Sequence, residues 1–183
     1  MGKLKRAIIL SLYYGILSKL PRAPLPGGKT FEGLRRLAVS QLVANCGEKI
    51  IVRNRAYFGD GLRLTIGSNS ELGENCRITG TIVIGDDVLM GPDVVIMATS
   101  HEYQSLTTPI RLQGEAKEKP IVIGNNVWIG TRSIILPGVS VGDGCIVGAG
   151  SVVTKSFPEN VIIAGVPAKV VRVRSEISWD EAL

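Results

Sequence analysis

His101 is the only histidine in a chain of 183 residues, so any chemistry that needs an imidazole passes through one side chain. It stands in the stretch MATSHEYQ, residues 97–104, between Ser100 and Glu102. An unperturbed imidazole titrates near about pH 6.5, which suits it to take a proton from a hydroxyl at neutral pH as a general base. Ser100 adjoins it, but adjacency in sequence does not make a nucleophile and its base meet in space. A zinc site needs three or four protein ligands. One histidine, with Cys46, Cys76 and Cys145 far apart and no CxxC spacing, does not supply them, so no metal is expected. The plain alternative for His101 is a surface imidazole without a role.

What must position this side chain is a six-residue rhythm. Aliphatic residues, one of them a methionine, recur at Ile66, Leu72, Ile78, Ile84, Met90 and Ile96, and again at Ile123, Ile129, Ile135, Val141, Val147 and Val153. Two residues before each of them, from Leu72 in the first series and from Ile129 in the second, comes a small or branched partner: Ser70, Cys76, Ile82, Val88, Val94, then Val127, Ser133, Val139, Cys145 and Ser151. Residues two apart share one face of a strand, whereas a helix would need a period of 3.6. Each hexad is therefore a very short strand followed by a corner, and the glycines that follow many of the aliphatics are expected to supply unusual backbone angles there. Three hexads closing a triangle, with coils stacked at strand spacing, satisfy the pattern and the backbone together. The expected fold is an all-β parallel β-helix. A low aromatic content and 22 glycines agree with an aliphatic core of this kind.

The rhythm breaks once. Ile96 and Ile123 are 27 positions apart, not a multiple of six, so residues 97–120 are expected to leave the coil as a polar surface loop with His101 at its start. The chain then divides into an N-terminal, partly helical arm (1–45), the β-helix with its excursion (46–174) and a short tail (175–183).

The stretches IGNNVWIG, ILPGVSVGDGCIVGAGSVV and AGVPAKVVR resemble the hexapeptide-repeat acyltransferases, and most nearly the galactoside, maltose and nodulation-factor O-acetyltransferases and their polysaccharide-modifying relatives. The resemblance covers residues 60–174. It implies a left-handed β-helix, a homotrimer, acetyl-CoA as acetyl donor and a saccharide hydroxyl as acceptor. The flank GDDVLMGPDVVIMATSH resembles the segment leading to the family's catalytic histidine, which assigns the base to His101. Its other ring nitrogen needs a partner, either Glu102 or a group of a neighbouring chain. By the same resemblance Gly130, Thr131 and Ala149 lie along the pantetheine arm, Thr154, Lys155, Lys169 and Arg172 lie near the adenine and phosphates, and Trp128 points outward from the coil onto the coenzyme or onto a neighbouring subunit. Cationic groups there would meet the coenzyme's phosphate charge. Galactoside- and maltose-type enzymes carry an asparagine shortly before the histidine strand. Ungapped counting places Glu71 and Gly73 there, and Asn75 is two positions off. AGVPAKVVR, with its glycine and proline, is expected to end the coil and fold back. A xenobiotic acetyltransferase of the same fold, or a β-helix acting only as a scaffold, are the competing functions.

Charge is uneven. Residues 1–36 hold eight Lys/Arg and one Glu, a balance of +7, while the chain as a whole is +5. Aromatics are not interleaved with the basic residues, so nucleic acid is not the expected partner. Residues 4–20, LKRAIILSLYYGILSKL, read as a helix with a narrow polar stripe of Ser11, Gly15 and Ser18. It is expected either to cover the open end of the β-helix or to lie on an anionic membrane, where a lipid-linked acceptor would be found. With three scattered cysteines and no small-x-small cleavage pattern after AIILSLYYGIL, the expected location is cytoplasmic, with peripheral contact at the inner membrane face.

Overall fold

Every aliphatic of the hexad series is buried, and so is each of its partners, Ser70, Ser133 and Ser151 included. The buried hydroxyls are satisfied by corner carbonyls: Ser70 Oγ donates to Gly85 O at 2.7 Å, and Ser133 Oγ and Ser151 Oγ both donate to Gly148 O, at 3.0 and 2.6 Å. A computed structural model of the chain describes residues 2–175. Of the expected tail only residue 175 falls among them; residues 176–183 lie outside the described part.

The protein folds as a left-handed parallel β-helix behind an N-terminal helical arm. Strands of two or three residues stack into three larger sheets and one separate parallel pair, Ile51–Val52 with Glu71–Leu72. The first holds Asn45–Cys46, Leu64–Ile66, Ile82–Ile84, Ile121–Ile123 and Ser140–Val141, and the second Arg77–Thr79, Val95–Met97, Ile134–Ile135 and Val152–Val153. In the third, Leu89–Met90, Trp128–Ile129 and Ile146–Val147 are followed by Val161–Gly165. Ile66 pairs with Ile84 and Ile78 with Ile96, each 18 residues on, so one coil is three hexads. Across the excursion the spacing is 39 residues on all three faces, as Ile82 with Ile121, Leu89 with Trp128 and Val95 with Ile134. At the far end Ala168–Val173 turns back antiparallel along Val161–Gly165, as the glycine and proline of AGVPAKVVR predict.

The corner glycines do something other than expected. Positive φ falls three residues after the aliphatics, on Asn69, Asn75, Asp87, Asp93, Asn126 and Arg132 and then on Gly138, Gly144 and Gly150. Asn and Asp tolerate this conformation best among side-chain-bearing residues. The glycines directly after the aliphatics have ordinary φ but no room: a Cβ on Gly85 would stand 2.7 Å from Gly124 O, and one on Gly130 2.6 Å from Ala149 N. They are needed for close stacking of successive coils, not for backbone freedom.

The arm consists of helix α1 (Lys3–Gly15), a short 3-10 turn and helix α2 (Gly28–Leu42). Tyr13, Leu17, Val39 and Leu42 are buried in one core with Ile50, Val52, Ala56 and Phe58 of the first coil. Tyr13 and Tyr14 hydroxyls donate to Ala56 O and Gly59 O at 2.8 and 2.7 Å. The buried Arg35 donates to Val52 O at 2.9 Å and Leu20 O at 3.0 Å, tying α2 to the coil end. The helix thus covers the open end of the coil with its inner side. Ser18, expected in the outward polar stripe, is buried and donates to Tyr14 O at 3.4 Å, because the chain has already left α1 and turned inward there.

Candidate functional site

The second sheet keeps its pairing through Ala98, whose amide donates to Thr79 O at 2.8 Å, so the chain leaves the coil at Thr99, slightly later than the hexad count places it. The outgoing and returning segments then form a narrow antiparallel ribbon. Ala116 N donates to Ser100 O and Glu102 N to Gly114 O, both at 3.0 Å, with His101 opposite Glu115. Glu118 clamps the foot, accepting from the Thr81 amide and, at 2.9 Å, from Arg63 Nη1. Burial alone would raise the Glu118 carboxyl, but the Thr81 amide and the Arg63 guanidinium outweigh it and hold its pKa below the usual carboxylate range. At the tip, Gln113 of the one-turn helix α3 (Ile110–Gln113) bonds Ser105 and Thr108. Against the expectation of a polar loop, the excursion also exposes Tyr103, Leu106, Ile110 and Leu112.

His101 is exposed on this ribbon and faces a cleft of about 380 Å³. The ribbon supplies Glu102, Tyr103, Lys117 and Lys119 to its walls, and the coil supplies Leu136, Pro137 and Thr154. Among the described residues the imidazole makes no side-chain hydrogen bond, to the adjacent Glu102 or to any other group. Lys117, Lys119, Leu136 and Pro137 were not singled out from the sequence. Leu136 was findable: it stands 18 residues before Thr154, so the coil period stacks the two, and Leu136 N donates to Val153 O at 3.0 Å. The lysines carry no pattern that marks them.

Of the other expected site residues, only Thr154 shares the cleft with His101. Lys155, next to it, holds its ammonium 5.7 Å from the centre of the Phe157 ring. Gly130, Thr131 and Ala149 lie at a different corner, between the third and second sheets, where Thr131 Oγ1 donates to Pro92 O at 2.9 Å and Gly150 N to Thr131 O at 2.8 Å. Trp128 points outward from the third sheet, half exposed, in a row that runs Leu89, Trp128, Ile146, Ile162 and Arg172. Lys169 lies on the same returning strand, opposite Ala164. Two groups therefore stand at opposite edges of the second sheet: the imidazole cleft, and the seam of Trp128, Gly130, Thr131 and Ala149. Glu71 is held by Arg53 at 2.6 Å, and Asn75 is bonded to Asp93 in a corner ladder; neither reaches the cleft.

The three thiols are unpaired. Burial pushes Cys76 up to about 12 and raises Cys46 and Cys145 as well, so none is a ready thiolate at neutral pH. What the cleft offers chemically is one accessible base, two ammonium groups and an apolar floor.

Residues 120–155 match the family model described as bacterial transferase hexapeptide (six repeats). The chain is 41% identical to the galactoside O-acetyltransferase of Escherichia coli (strain K12) over 140 residues, 75% of this chain and 68% of that protein. Its fold superposes on a galactoside acetyltransferase in complex with coenzyme A with a TM-score of 0.76 and 34% identity, covering 94% of this chain and 82% of that one. A maltose O-acetyltransferase from Clostridium difficile 630 gives a TM-score of 0.76 and 28% identity, covering 96% and 90%.

Proposed function

The chain belongs to the hexapeptide-repeat acetyltransferases, and from that membership we propose that it moves an acetyl group from acetyl-CoA to a saccharide hydroxyl with His101 as general base. The observation that carries this is the placement of the sole imidazole, accessible and unbonded, on the wall of a cleft at the one break in the coil. The acceptor oxygen attacks the thioester carbonyl carbon while His101 takes its proton. A backbone N–H at the coil corner stabilises the oxyanion as the tetrahedral intermediate forms. Collapse breaks the C–S bond, and the imidazolium returns the proton to the departing thiolate. No acyl-enzyme is needed, and buried, raised thiols agree with that.

The coenzyme lies along the seam of Trp128, Gly130, Thr131 and Ala149, with Lys169 and Arg172 near its adenine and phosphates, and with Thr154 and Lys155 reaching them from the neighbouring copy, where Thr154 shares the cleft with the base. Because that seam and His101 stand at opposite edges of one sheet, the base that serves a seam comes from a neighbouring copy in a homotrimer. The exposed Val83 and Val122 of the first sheet and the apolar tip of the excursion are the surfaces such an assembly would cover. The acceptor is a saccharide that the cell carries on a lipid, met at the cytoplasmic face of the membrane; among the described residues no helix is long and apolar enough to cross it.

The test is thiol release from acetyl-CoA with a panel of free and lipid-linked saccharides. Turnover with at least one saccharide is expected, and none with any acceptor, together with no coenzyme binding, would leave only a scaffold. Mixing His101→Ala chains with Trp128→Ala chains should restore part of the activity, since some sites then combine an intact base with an intact seam. Mixtures no more active than their components would refute sharing.

A further inference from the structure

Helix α1 has a second side that the fold leaves uncovered. Its inner side carries Arg6, Leu10 and Tyr13 toward the coil end, with Arg6 donating to Leu42 O at 2.7 Å. On the opposite side Leu4, Ile8 and Leu12, each four residues from the last, are 75%, 59% and 44% exposed, and Ile16, which caps the helix just past its end, is 56% exposed. Residues four apart lie on one helix face, so this is a continuous apolar stripe and not a scatter of single side chains. α2, packed beside α1, also exposes Leu34 and Leu37.

Along α1 and the turn that follows it the charge has one sign. The first Asp or Glu of the chain is Glu32. Of the basic residues in the arm, Arg6 is spent on backbone carbonyls, Arg22 is paired with Glu74 at 3.0 Å, and Arg35 is buried. Lys3, Lys5, Lys19, Lys29 and Arg36 are exposed and, among the described residues, form no ion pair. We propose that the outward face of α1 is a docking surface for an anionic lipid bilayer, on which the helix lies flat with its leucine–isoleucine stripe among the acyl chains and its lysines at the headgroups. A second copy of the chain fits this face less well, because pairing α1 with α1 would set like charges against one another, whereas anionic headgroups neutralise them. The helix cannot cross instead: thirteen residues rise about 20 Å, short of the roughly 30 Å hydrocarbon core. An apolar face flanked by lysines, on a helix of low net hydrophobicity, is the pattern of an interfacial helix. This inference does not depend on the acetyl-transfer reading, since its test reads binding alone.

The experiment is co-sedimentation of the full chain with vesicles of phosphatidylglycerol and phosphatidylcholine, and with vesicles of phosphatidylcholine only. The expected result is binding to the anionic vesicles at low salt, weakened at least tenfold by about 0.5 M salt as the charges are screened, and little binding to the neutral ones. The double variant Ile8→Ser, Leu12→Ser and the triple variant Lys3→Gln, Lys5→Gln, Lys19→Gln should each lose at least tenfold in binding. Both substitute exposed groups, and circular dichroism checks that they fold as the parent does. Failure of the parent to bind anionic vesicles at low salt overturns the proposal, as does unchanged binding by both variants. Light scattering on the lipid-free chains supplies the remaining arm: if the Ile8→Ser, Leu12→Ser chain falls to a smaller oligomer than the parent, the stripe is an interface between copies and the proposal fails.

Discussion

Replacing Gly85 with alanine should destabilise the coil by crowding, although its backbone angles are open to any residue. The new Cβ would lie 2.7 Å from Gly124 O and 2.8 Å from Gly124 C, backbone atoms of the next coil that cannot rotate away. Ordinary contact begins at 3.4 Å, so the two coils must part by about 0.7 Å at this corner. The Gly85 amide donates to Ile123 O at 2.9 Å at the same place, and that separation stretches the bond beyond its useful range. Overpacking of this kind costs about 1–3 kcal/mol and a lost backbone bond about 0.5–1.5 kcal/mol. The reduced freedom of the unfolded alanine chain returns about 0.4–1 kcal/mol. A net loss of about 2 kcal/mol is expected. Gly150 is the control, with φ of 69° and no atom within 4 Å of a Cβ. Gly150→Ala meets only the left-handed penalty of about 1–2 kcal/mol, reduced by the same unfolded-state term. Urea unfolding at fixed protein concentration, compared at equal slope, measures both. If Gly85→Ala unfolds with the parent, or costs less than Gly150→Ala, the corner glycines are not there for close stacking.

Two further outcomes follow from named contacts. Arg35→Met should cost about 1.5–3 kcal/mol in urea unfolding, because Val52 O and Leu20 O lose a charged donor in a buried place; an unchanged midpoint would show that the arm holds without it. Glu118 has its folded pKa lowered, so its contribution is complete at neutral pH, above the ordinary carboxylate range, and is lost as pH falls through the lowered value. Glu118→Gln should therefore make residues 99–118 more open to limited proteolysis at pH 7, and remove the parent's extra loosening in acid. Equal protection at both pH values would mean that Glu118 does not clamp the foot.

The coil was legible because a period of six allows one inward phase, and the two series, Ile66 to Ile96 and Ile123 to Val153, each follow it without a miss. The break at His101 was legible for the same reason, as 27 is not divisible by six. The purpose of the corner glycines was not, since crowding from a coil 18 or 39 residues away leaves no local signal. Nor was the apolar tip of the excursion, whose Leu106, Ile110 and Leu112 follow no period. The separation of His101 from Trp128 and Thr131 could be counted in hexads, but only the closed triangle shows that they occupy opposite edges of one sheet. Lys117 and Lys119 enter the cleft because the ribbon folds back on itself, a pairing set by Ser100 with Ala116 and by Glu102 with Gly114.

His101→Ala tests the central claim most directly. The side chain is exposed and makes no side-chain bond among the described residues, so its removal should leave the unfolding midpoint within about 0.5 kcal/mol of the parent. Thiol release from acetyl-CoA, measured with the saccharide that gives turnover, should fall by about 10²–10⁴-fold, the usual range for a lost general base. Coenzyme binding should persist, because the seam is untouched. A variant that folds, binds the coenzyme and turns over within threefold of the parent would contradict the assignment of the base to His101.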